Sequence, residues 1–440
     1  MLPKNFTIPK LSLFKSRPKL RAVIANTGWL VGDRIFRMGV GLIIGVWVAR
    51  YLGVQQYGLF NYATAFVSLF SPFAALGLDS LVVRDLVRDS SNKEEILGTT
   101  FCLKFVSGVC SLLLAVGCVF VLRKNEPLAV WLVAILSGVA IFQTFDTIDF
   151  WFQSQVQSKY SVISKNTAFI IVALIKVVLI TMHAPLIAFA WVSVAEIALG
   201  AIGLAIAYRL KGYSVLLWRW SFPIAKALIK ESWPLIFSVF AIAIYMKIDQ
   251  IMLGQMVNDE AVGVYSAATR ISEIWYFIPV TIASSVAPTI YQAKQASEVL
   301  YYQRMNQFVR FMVLISLTIS VPMTFLSGTI ITALFGNGYV GAGPILAIHI
   351  WSSLFVFMGV AISPWYIAEG LTHLAMYRTL MGAVTNVLLN IFLLPTYGGM
   401  GAALATVISY SFSDFFSNAT HPKTRKIFKI QIKSLLLFKQ

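Results

Sequence analysis

Long apolar stretches, separated by short polar segments, recur along the whole chain. Each is close to the roughly 20 apolar residues that a helix needs to cross a bilayer core of about 30 Å. The pattern therefore predicts an all-α polytopic membrane protein with about twelve transmembrane helices. Their expected limits are residues 28–50, 58–79, 96–122, 127–148, 161–182, 185–208, 232–256, 261–289, 309–335, 343–368, 372–395 and 398–417.

Composition supports this fold class. Apolar residues make up 58% of the 440 residues and charged residues only 12%, whereas soluble proteins carry about 25% charged residues. A soluble enzyme, a disordered chain and a secreted disulfide scaffold are therefore excluded, because such an apolar surface would aggregate in water. We expect no metal site, because the spacing of the cysteines and histidines does not suit one. These are Cys102, Cys110, Cys118, His183, His349, His373 and His421.

The charge distribution predicts the orientation. The 35 basic residues exceed the 18 acidic ones by 17, but in a membrane protein topology and anionic lipids explain such an excess before nucleic acid does. Only Arg50, Arg123 and Lys124 fall in alternate loops, so both termini are expected in the cytoplasm. The outward loops are short, which argues against a membrane-embedded glycosyltransferase, polymerase or ligase, since such an enzyme usually needs a large external loop.

An internal repeat divides the chain. Leu52-Gly53 precedes YGLFNYA, and Leu253-Gly254 precedes VGVYSAA. The offset predicts two parallel lobes of six helices each. The expected domains are a basic N-terminal segment (1–27), an N-lobe (28–208), a cytoplasmic linker (209–231), a C-lobe (232–417) and a basic amphipathic tail on the inner leaflet (418–440).

The same segments carry a resemblance to a family. The opening GWLVGDRIFRMGVGLIIGVWVARYLGVQQYGLFNYATAF, the turn GLDSLVVRDLVRD, and YMKIDQIMLGQMVNDEAVGVYSAATRISE are similar to the Wzx-type oligosaccharide flippases. These are polysaccharide biosynthesis transporters of the multidrug/oligosaccharidyl-lipid/polysaccharide exporter superfamily. The resemblance implies two six-helix lobes that face a central cavity, which opens alternately to either side. It also implies a polyprenyl-pyrophosphate-linked oligosaccharide as substrate.

Ionisable side chains within predicted spans are the candidate site, because each costs about 2.5–3.5 kcal/mol to insert and usually faces a cavity or a partner. Asp33 and Arg37 are four residues apart and share a helix face, whereas Arg34 points elsewhere. They form either a simple intrahelical pair or, with the two arginines, a site for the lipid pyrophosphate.

Span seven carries Lys247 and Asp249, which cannot point to one place because two residues rotate a helix by about 200°. The resemblance favours Lys247 as the substrate contact. Asp249 is then either an internal counter-charge or a coupling site. On span eight, Arg270 and Glu273 are spaced for a local ion pair; alternatively, Arg270 binds substrate and Glu273 tunes it.

Lys104 and Lys176 have no acid within a helical turn, and Glu196 is a candidate partner for either. Asp146 and Asp149, with Trp151 and Phe152, are interpreted as marking the membrane interface and a gate. The predicted cavity therefore has six cations against four acids, a positive excess that suits an anionic substrate. The substrate-binding candidates are Arg34, Arg37, Lys104, Lys176, Lys247 and Arg270, and the coupling-ion or counter-charge candidates are Asp33, Glu196, Asp249 and Glu273.

The sequence thus predicts a non-enzymatic exporter that moves a lipid-linked oligosaccharide to the outer leaflet of a bacterial plasma membrane, for O-antigen, lipopolysaccharide or exopolysaccharide synthesis. No cofactor is expected, and the coupling ion is left open between proton and sodium. Expected partners are the lipid-linked oligosaccharide, membrane lipids and polysaccharide polymerase machinery. Two alternatives stay open: a multidrug/cation antiporter of the same fold, which should have an acidic cavity, and a non-transporting assembly partner.

Overall fold

The structure is a computed structural model that describes the backbone of residues 18–436 and the side chains of residues 28, 29 and 32–436. Within this part of the chain every long element is a helix. In chain order the helices are α1 (Pro18–Ala75), α2 (Asp79–Arg88), α3 (Lys93–Leu122), α4 (Pro127–Ser137), α5 (Val139–Phe142), α6 (Asp146–Ser154), α7 (Lys159–Thr181), α8 (Leu186–Leu210), α9 (Phe222–Met256), α10 (Asp259–Glu273), α11 (Phe277–Ala296), α12 (Glu298–Phe335), α13 (Ala342–His349), α14 (Ser352–Ala368), α15 (Thr372–Ser411), α16 (Ser417–Thr420) and α17 (Arg425–Leu435).

Ten helical stretches of the described chain are long and apolar enough to span a membrane. Two exceed what one crossing requires: 57 residues from Gly32 to Arg88 and 49 residues from Thr372 to Thr420. Each bends at a glycine of positive φ, Gly53 at 71° and Gly398 at 50°, a conformation that glycine adopts at little cost. The all-α membrane architecture is therefore confirmed, whereas the count of twelve crossings stays a prediction.

Three predicted spans contain breaks that the hydrophobic pattern did not show. The span at 127–148 is divided into α4, α5 and a 3₁₀ turn that leads into α6. The span at 261–289 is divided by a 3₁₀ turn at Ile274–Tyr276, and the span at 343–368 breaks between His349 and Ser352. These breaks interrupt the helices within the predicted spans, and two of them directly adjoin Asp146 and Glu273.

The buried core differs between the two ends of the molecule. We call the end that holds Gly53, Arg123 and Tyr339 the outer end, as the charge distribution predicts, and the opposite end the inner end. At the outer end one continuous core joins both halves of the chain, with members Ala63, Leu132, Phe189, Leu253, Val262, Ile345 and Ala402 among others. At the inner end there are two separate cores, one formed by α2, α3, α6 and α8 with Leu228, the other by α11, α12, α14 and α17. The two inner cores define two lobes.

The predicted linker and tail both pack on the protein. Arg219 donates its backbone N–H to Glu94 O at 3.1 Å, which fixes the linker 209–231 on the first lobe. In α17, Ile427 and Ile430 are buried in the core of the second lobe. The apolar face of the tail is therefore covered by protein. The sequence had predicted that this face contacts the lipid of the inner leaflet. The domain limits themselves stay predictions, and residues 1–17 of the predicted N-terminal segment and 437–440 of the tail lie outside the described residues.

Candidate functional site

Arg37, on the inner half of α1, is the centre of a charged cluster in the first lobe. Its Nε lies 3.1 Å from Asp33 Oδ1, and its Nη1 lies 3.4 Å from Glu196 Oε1 on α8. Nη2 donates to the backbone oxygen of Lys165 on α7 at 2.6 Å. The predicted Asp33–Arg37 pair is present, but the guanidinium also ties three helices together. Arg34 is exposed on another face of α1 and takes no part in this cluster.

Lys165 is a cation that the sequence analysis missed. Its Nζ lies 2.8 Å from Asp146 Oδ1 and 2.8 Å from Asp149 Oδ2, both on α6. Asp146 and Asp149 are therefore ion-pair partners, and their interpretation as marking the membrane interface and a gate stays a prediction. Trp151 and Phe152 are buried in the inner core of the first lobe. The spacing of the two aspartates, one helical turn apart, was the available signal for a shared partner.

A cavity of about 220 Å³ opens beside this cluster. Its polar lining comes from Arg37, Gln143, Asp146, Lys165 and Glu196. Each cation here already has a carboxylate partner, and the side chains remain partly exposed, Arg37 at 29% and Lys165 at 34%. These ion pairs are therefore accessible from the cavity rather than sealed inside the lobe.

A second cavity, of about 200 Å³, lies between α1, α7, α8 and α10. Its charged lining is Lys176, Glu196 and Arg270. Lys176 Nζ lies 3.9 Å from Glu196 Oε2, which makes Glu196 the acid shared by Arg37 and Lys176. The lining of this cavity therefore includes two cationic side chains and one acidic side chain.

The predicted Arg270–Glu273 pair is not formed. Arg270 instead reaches across to α1, where Nη2 donates to Gly41 O at 2.7 Å and Nη1 to Tyr57 Oη at 3.5 Å. Glu273 pairs with Lys247 of α9, at 3.9 Å between Oε2 and Nζ. Both side chains find tertiary partners that the local i,i+3 spacing could not show. Among the residues that the structure describes, Arg270 forms no ion pair with a carboxylate.

Lys104 is not part of the cavity lining. Only 5% of its side chain is exposed, and its Nζ lies 3.9 Å from Asp79 Oδ1 and 4.7 Å from the ring centre of Phe150. The predicted partnership with Glu196 is therefore wrong for Lys104, although Lys176 does form it. Lys104 is a buried, paired cation inside the first lobe.

Asp249 is sealed inside the second lobe, 3% exposed. Its carboxylate accepts hydrogen bonds from Tyr265 Oη at 2.8 Å, Thr406 Oγ1 at 2.6 Å and Asn390 Nδ2 at 2.5 Å. All three donors are neutral. Lys247, two residues away, points elsewhere to Glu273, as the helix geometry predicts. Asp249 thus forms no ion pair within the described residues.

The linings of the two cavities keep a positive excess, with Arg37, Lys165, Lys176 and Arg270 against Asp146 and Glu196. The whole set of candidate charges is more even, because Lys165, Asp79, Asp146 and Asp149 join it and turn six cations against four acids into seven against seven. The polarity of the site is therefore local. It is positive at the cavity lined by Lys176, Arg270 and one acid, and negative at Asp249.

The outer end is closed above these cavities by two arginines that cross between the lobes. Arg123 Nη1 lies 2.8 Å from Asp259 Oδ1, Nη2 donates to Gly254 O at 2.6 Å, and the guanidinium stacks 3.9 Å above the Tyr62 ring. Arg50 Nη2 and Nε donate to carbonyl oxygens in the last turn of α12, each at 2.6 Å. From the sequence alone, both arginines indicated only the topology of the chain.

Comparisons with known proteins give a family and a fold. A family model described as polysaccharide biosynthesis protein matches residues 23–294, and one described as MatE matches residues 234–392. The chain is 28% identical over 187 residues to a probable flippase AglR of Haloferax volcanii, a match that covers 41% of this chain and 38% of that protein. It is 21% identical to a putative O-antigen transporter of Shigella dysenteriae, over 82% of this chain and 90% of that protein.

Two solved structures have a similar fold. The lipid II flippase MurJ in an inward closed conformation superposes with a TM-score of 0.69 at 17% identity, covering 94% of this chain and 91% of that one. An inward-facing multidrug resistance MATE family transporter of the MOP superfamily gives 0.70 at 14% identity, covering 91% and 94%. At these identities the likeness shows the two-lobed fold, and it agrees with the predicted fold class.

Proposed function

The chain belongs to the polysaccharide biosynthesis protein family, and from this premise we propose that it is a flippase for polyprenyl-pyrophosphate-linked oligosaccharides. Like the proteins of its family, it is a multi-pass membrane transporter and not an enzyme. In this proposal it lies in a bacterial plasma membrane with both termini in the cytoplasm. It carries the oligosaccharide from the inner to the outer leaflet by alternating access.

The observation that carries this proposal is the cavity between α1, α7, α8 and α10. Arg270 lines it without a carboxylate partner among the described residues, and Lys176 shares its acid with Arg37. A guanidinium that lacks an acid inside a membrane is costly unless it meets an anion. Its planar fork of N–H groups fits phosphate oxygens in a bidentate manner. A lipid pyrophosphate supplies both the charge and the geometry.

The cavity beside Arg37 supplies a first resting place for the same headgroup. It lies on the inner half of α1, the side from which a cytoplasmic substrate would come. Arg37 and Lys165 are paired there with carboxylates but stay partly exposed. In our proposal the pyrophosphate replaces Glu196 at Arg37 and then passes to Lys176, which shares that glutamate with Arg37, and to Arg270 in the same cavity.

Asp249 is the proposed coupling site. A carboxylate sealed in a membrane must either hold a proton or meet a cation. Its described neighbours offer neutral groups only, and the amide oxygen of Asn390 beside it is buried without a hydrogen-bond partner. These oxygen atoms suit a small hard cation, and the carboxylate alone suits a proton. Inward movement of either ion would drive outward movement of an anion.

Translocation by purified protein in proteoliposomes tests the proposal. A labelled polyprenyl-pyrophosphate oligosaccharide is followed by its accessibility to an impermeant probe on the opposite leaflet. We expect Arg270→Gln to slow the rate by about tenfold or more, because hydrogen bonds to charged groups contribute about 1.5–3 kcal/mol. Arg304→Gln is the matched control, since Arg304 is exposed on α12, away from both cavities.

The same assay tests the coupling site. Imposed sodium and pH gradients should identify the driving ion, and Asp249→Asn should remove the response to that gradient. Wild-type rates equal to those of empty liposomes, with several glycans and both gradients tried, would refute the flippase proposal.

A multidrug/cation antiporter is the second candidate. The match of residues 234–392 to the MatE model favours it. This candidate predicts that the liposomes take up an organic cation such as ethidium in exchange for protons or sodium. It also predicts that Arg270→Gln leaves this exchange intact while Asp249→Asn abolishes it.

A further inference from the structure

A notch on α1 receives the side chain of Arg270. Gly45 forms its floor: a Cβ placed on Gly45 would lie 1.9 Å from Nη2 and 2.2 Å from Cζ of Arg270. Gly41, one turn earlier, supplies the carbonyl oxygen that accepts from Nη2 at 2.7 Å. Because α10 belongs to the second lobe and α1 to the first, the guanidinium joins the lobes at this depth. A side chain at position 45 would force the guanidinium to move out of the notch.

The bonds that hold Arg270 in the notch are all to neutral acceptors. Gly41 O and Tyr57 Oη are its described partners, and the second of these bonds is long, at 3.5 Å. Arg270 also lines the cavity that contains Lys176. A phosphate-type anion in that cavity would make charge-assisted bidentate bonds, which are about twice as strong as bonds between a donor and a neutral oxygen. Notch and anion therefore compete for one guanidinium.

We propose that Arg270 is a latch between α1 and α10 that an anionic headgroup releases. Seated in the notch, Arg270 ties the two lobes together below the closed outer end. A pyrophosphate in the cavity draws the guanidinium away from Gly41 O and Tyr57 Oη, and the lobes are then free to part. The identity of the releasing anion rests on the proposed function, whereas the latch itself rests on the notch. An anion that binds only the released form necessarily shifts the population toward it.

Substitution of Gly45 tests the latch without changing any charge. Gly45→Ala blocks the notch, and Gly39→Ala is the matched control, because a Cβ at Gly39 meets nothing within 4 Å. Spin labels are attached at Asn125→Cys and Val340→Cys, two exposed positions on opposite lobes at the outer end, after the native cysteines are replaced. Pulsed electron resonance then measures the population with a long distance between these two labels, which we call the outer pair.

We expect Gly45→Ala to raise the long-distance population roughly tenfold without ligand, the effect of losing hydrogen bonds to a charged group. Farnesyl pyrophosphate should produce the same shift in the wild type and in Gly39→Ala, and little further shift in Gly45→Ala. Farnesol, which has no phosphate, should leave all distances unchanged. Arg270→Gln removes the guanidinium from the notch and should show the same long-distance population as Gly45→Ala without ligand. Agreement between the two variants would exclude a folding defect in Gly45→Ala as the cause.

Two results would overturn the latch. The first is that, without ligand, Gly45→Ala and Arg270→Gln both show the same distance distribution as the wild type. The second is that farnesyl pyrophosphate binds the wild type in equilibrium dialysis but does not change the outer-pair distance. Absence of binding in dialysis would instead overturn the assignment of a pyrophosphate substrate. An opened Gly45→Ala variant would in that case still support the mechanical link between notch and lobes.

Discussion

The outer and inner ends of the molecule hold the lobes together in different ways. At the outer end a single apolar core includes residues of both lobes, and arginines cross between them to carboxylate and backbone oxygens. At the inner end each lobe has its own core. Contacts there include one aromatic pair, Phe73 of α1 with Phe240 of α9, at 4.9 Å between ring centres.

This difference identifies which contacts must break for the lobes to rock. Separating the two inner cores leaves each of them largely intact, whereas opening the outer end exposes part of a shared core and leaves buried charges without partners. The structure is therefore a form closed at its outer end, and the outer contacts set how readily it converts. Substitutions at the outer end should shift the conformational balance far more than substitutions at the inner end.

Arg123 should give the largest effect. Its side chain is 4% exposed, and it contacts Asp259, Gly254 O and the Tyr62 ring at once. Arg123→Gln leaves Asp259 without its cation, and truncation of one partner of a buried charge pair costs about 2–5 kcal/mol. We expect the long-distance population of the outer pair to become dominant, measured by pulsed electron resonance.

The double variant Arg123→Gln with Asp259→Asn is the control for Arg123. It removes both charges and should recover part of the closed population. An unchanged outer-pair distance in Arg123→Gln would show that the shared core alone closes the outer end.

Close backbone packing at Gly263 should give a smaller effect. A Cβ on Gly263 would lie 2.1 Å from Val54 O, which belongs to the backbone of the other lobe and cannot rotate away. Overpacking of this kind costs typically about 1–3 kcal/mol, so Gly263→Ala should raise the long-distance population of the outer pair by roughly five- to a hundredfold. Gly338→Ala is the control, because a Cβ there meets Val54 at an ordinary 3.7 Å. Equal effects of the two variants would contradict the packing argument.

The fold was largely predictable from sequence because an apolar run of about 20 residues is a direct indication of a membrane-spanning helix. Leu52-Gly53 also marked the bend at Gly53, since a glycine between two such runs permits a reversal. The breaks at 274–276 and 350–351 could not be foreseen. No glycine or proline occurs at those positions, and the breaks are set by packing against neighbouring helices.

Site residues were predictable as charges inside the membrane but not as partners. Asp249 was correctly separated from Lys247 because that argument needed only the geometry of one helix. Arg270 was wrongly paired with Glu273, because the competing acceptors lie on α1, more than 200 residues away in the chain. Lys165 was overlooked although it lies within the predicted span 161–182, because its carboxylate partners belong to another helix. Such pairings depend on which helices pack against each other. The local spacing of residues in one sequence does not show that packing.

The aromatic pair at the inner end should give the smallest effect. Phe73→Ala removes an interaction that contributes about 0.5–1.5 kcal/mol beyond its area burial, and the neighbouring cores do not depend on it. We therefore expect at most a roughly tenfold shift in the long-distance population of labels at Gln157→Cys and His373→Cys, exposed inner positions on the two lobes. The outer-pair distance should stay as in the wild type, since nothing at the outer end is altered. A shift of the outer pair as large as that in Arg123→Gln would mean that the inner contact, rather than the outer core, holds the lobes in this form, and the contrast between the two ends would have to be reversed.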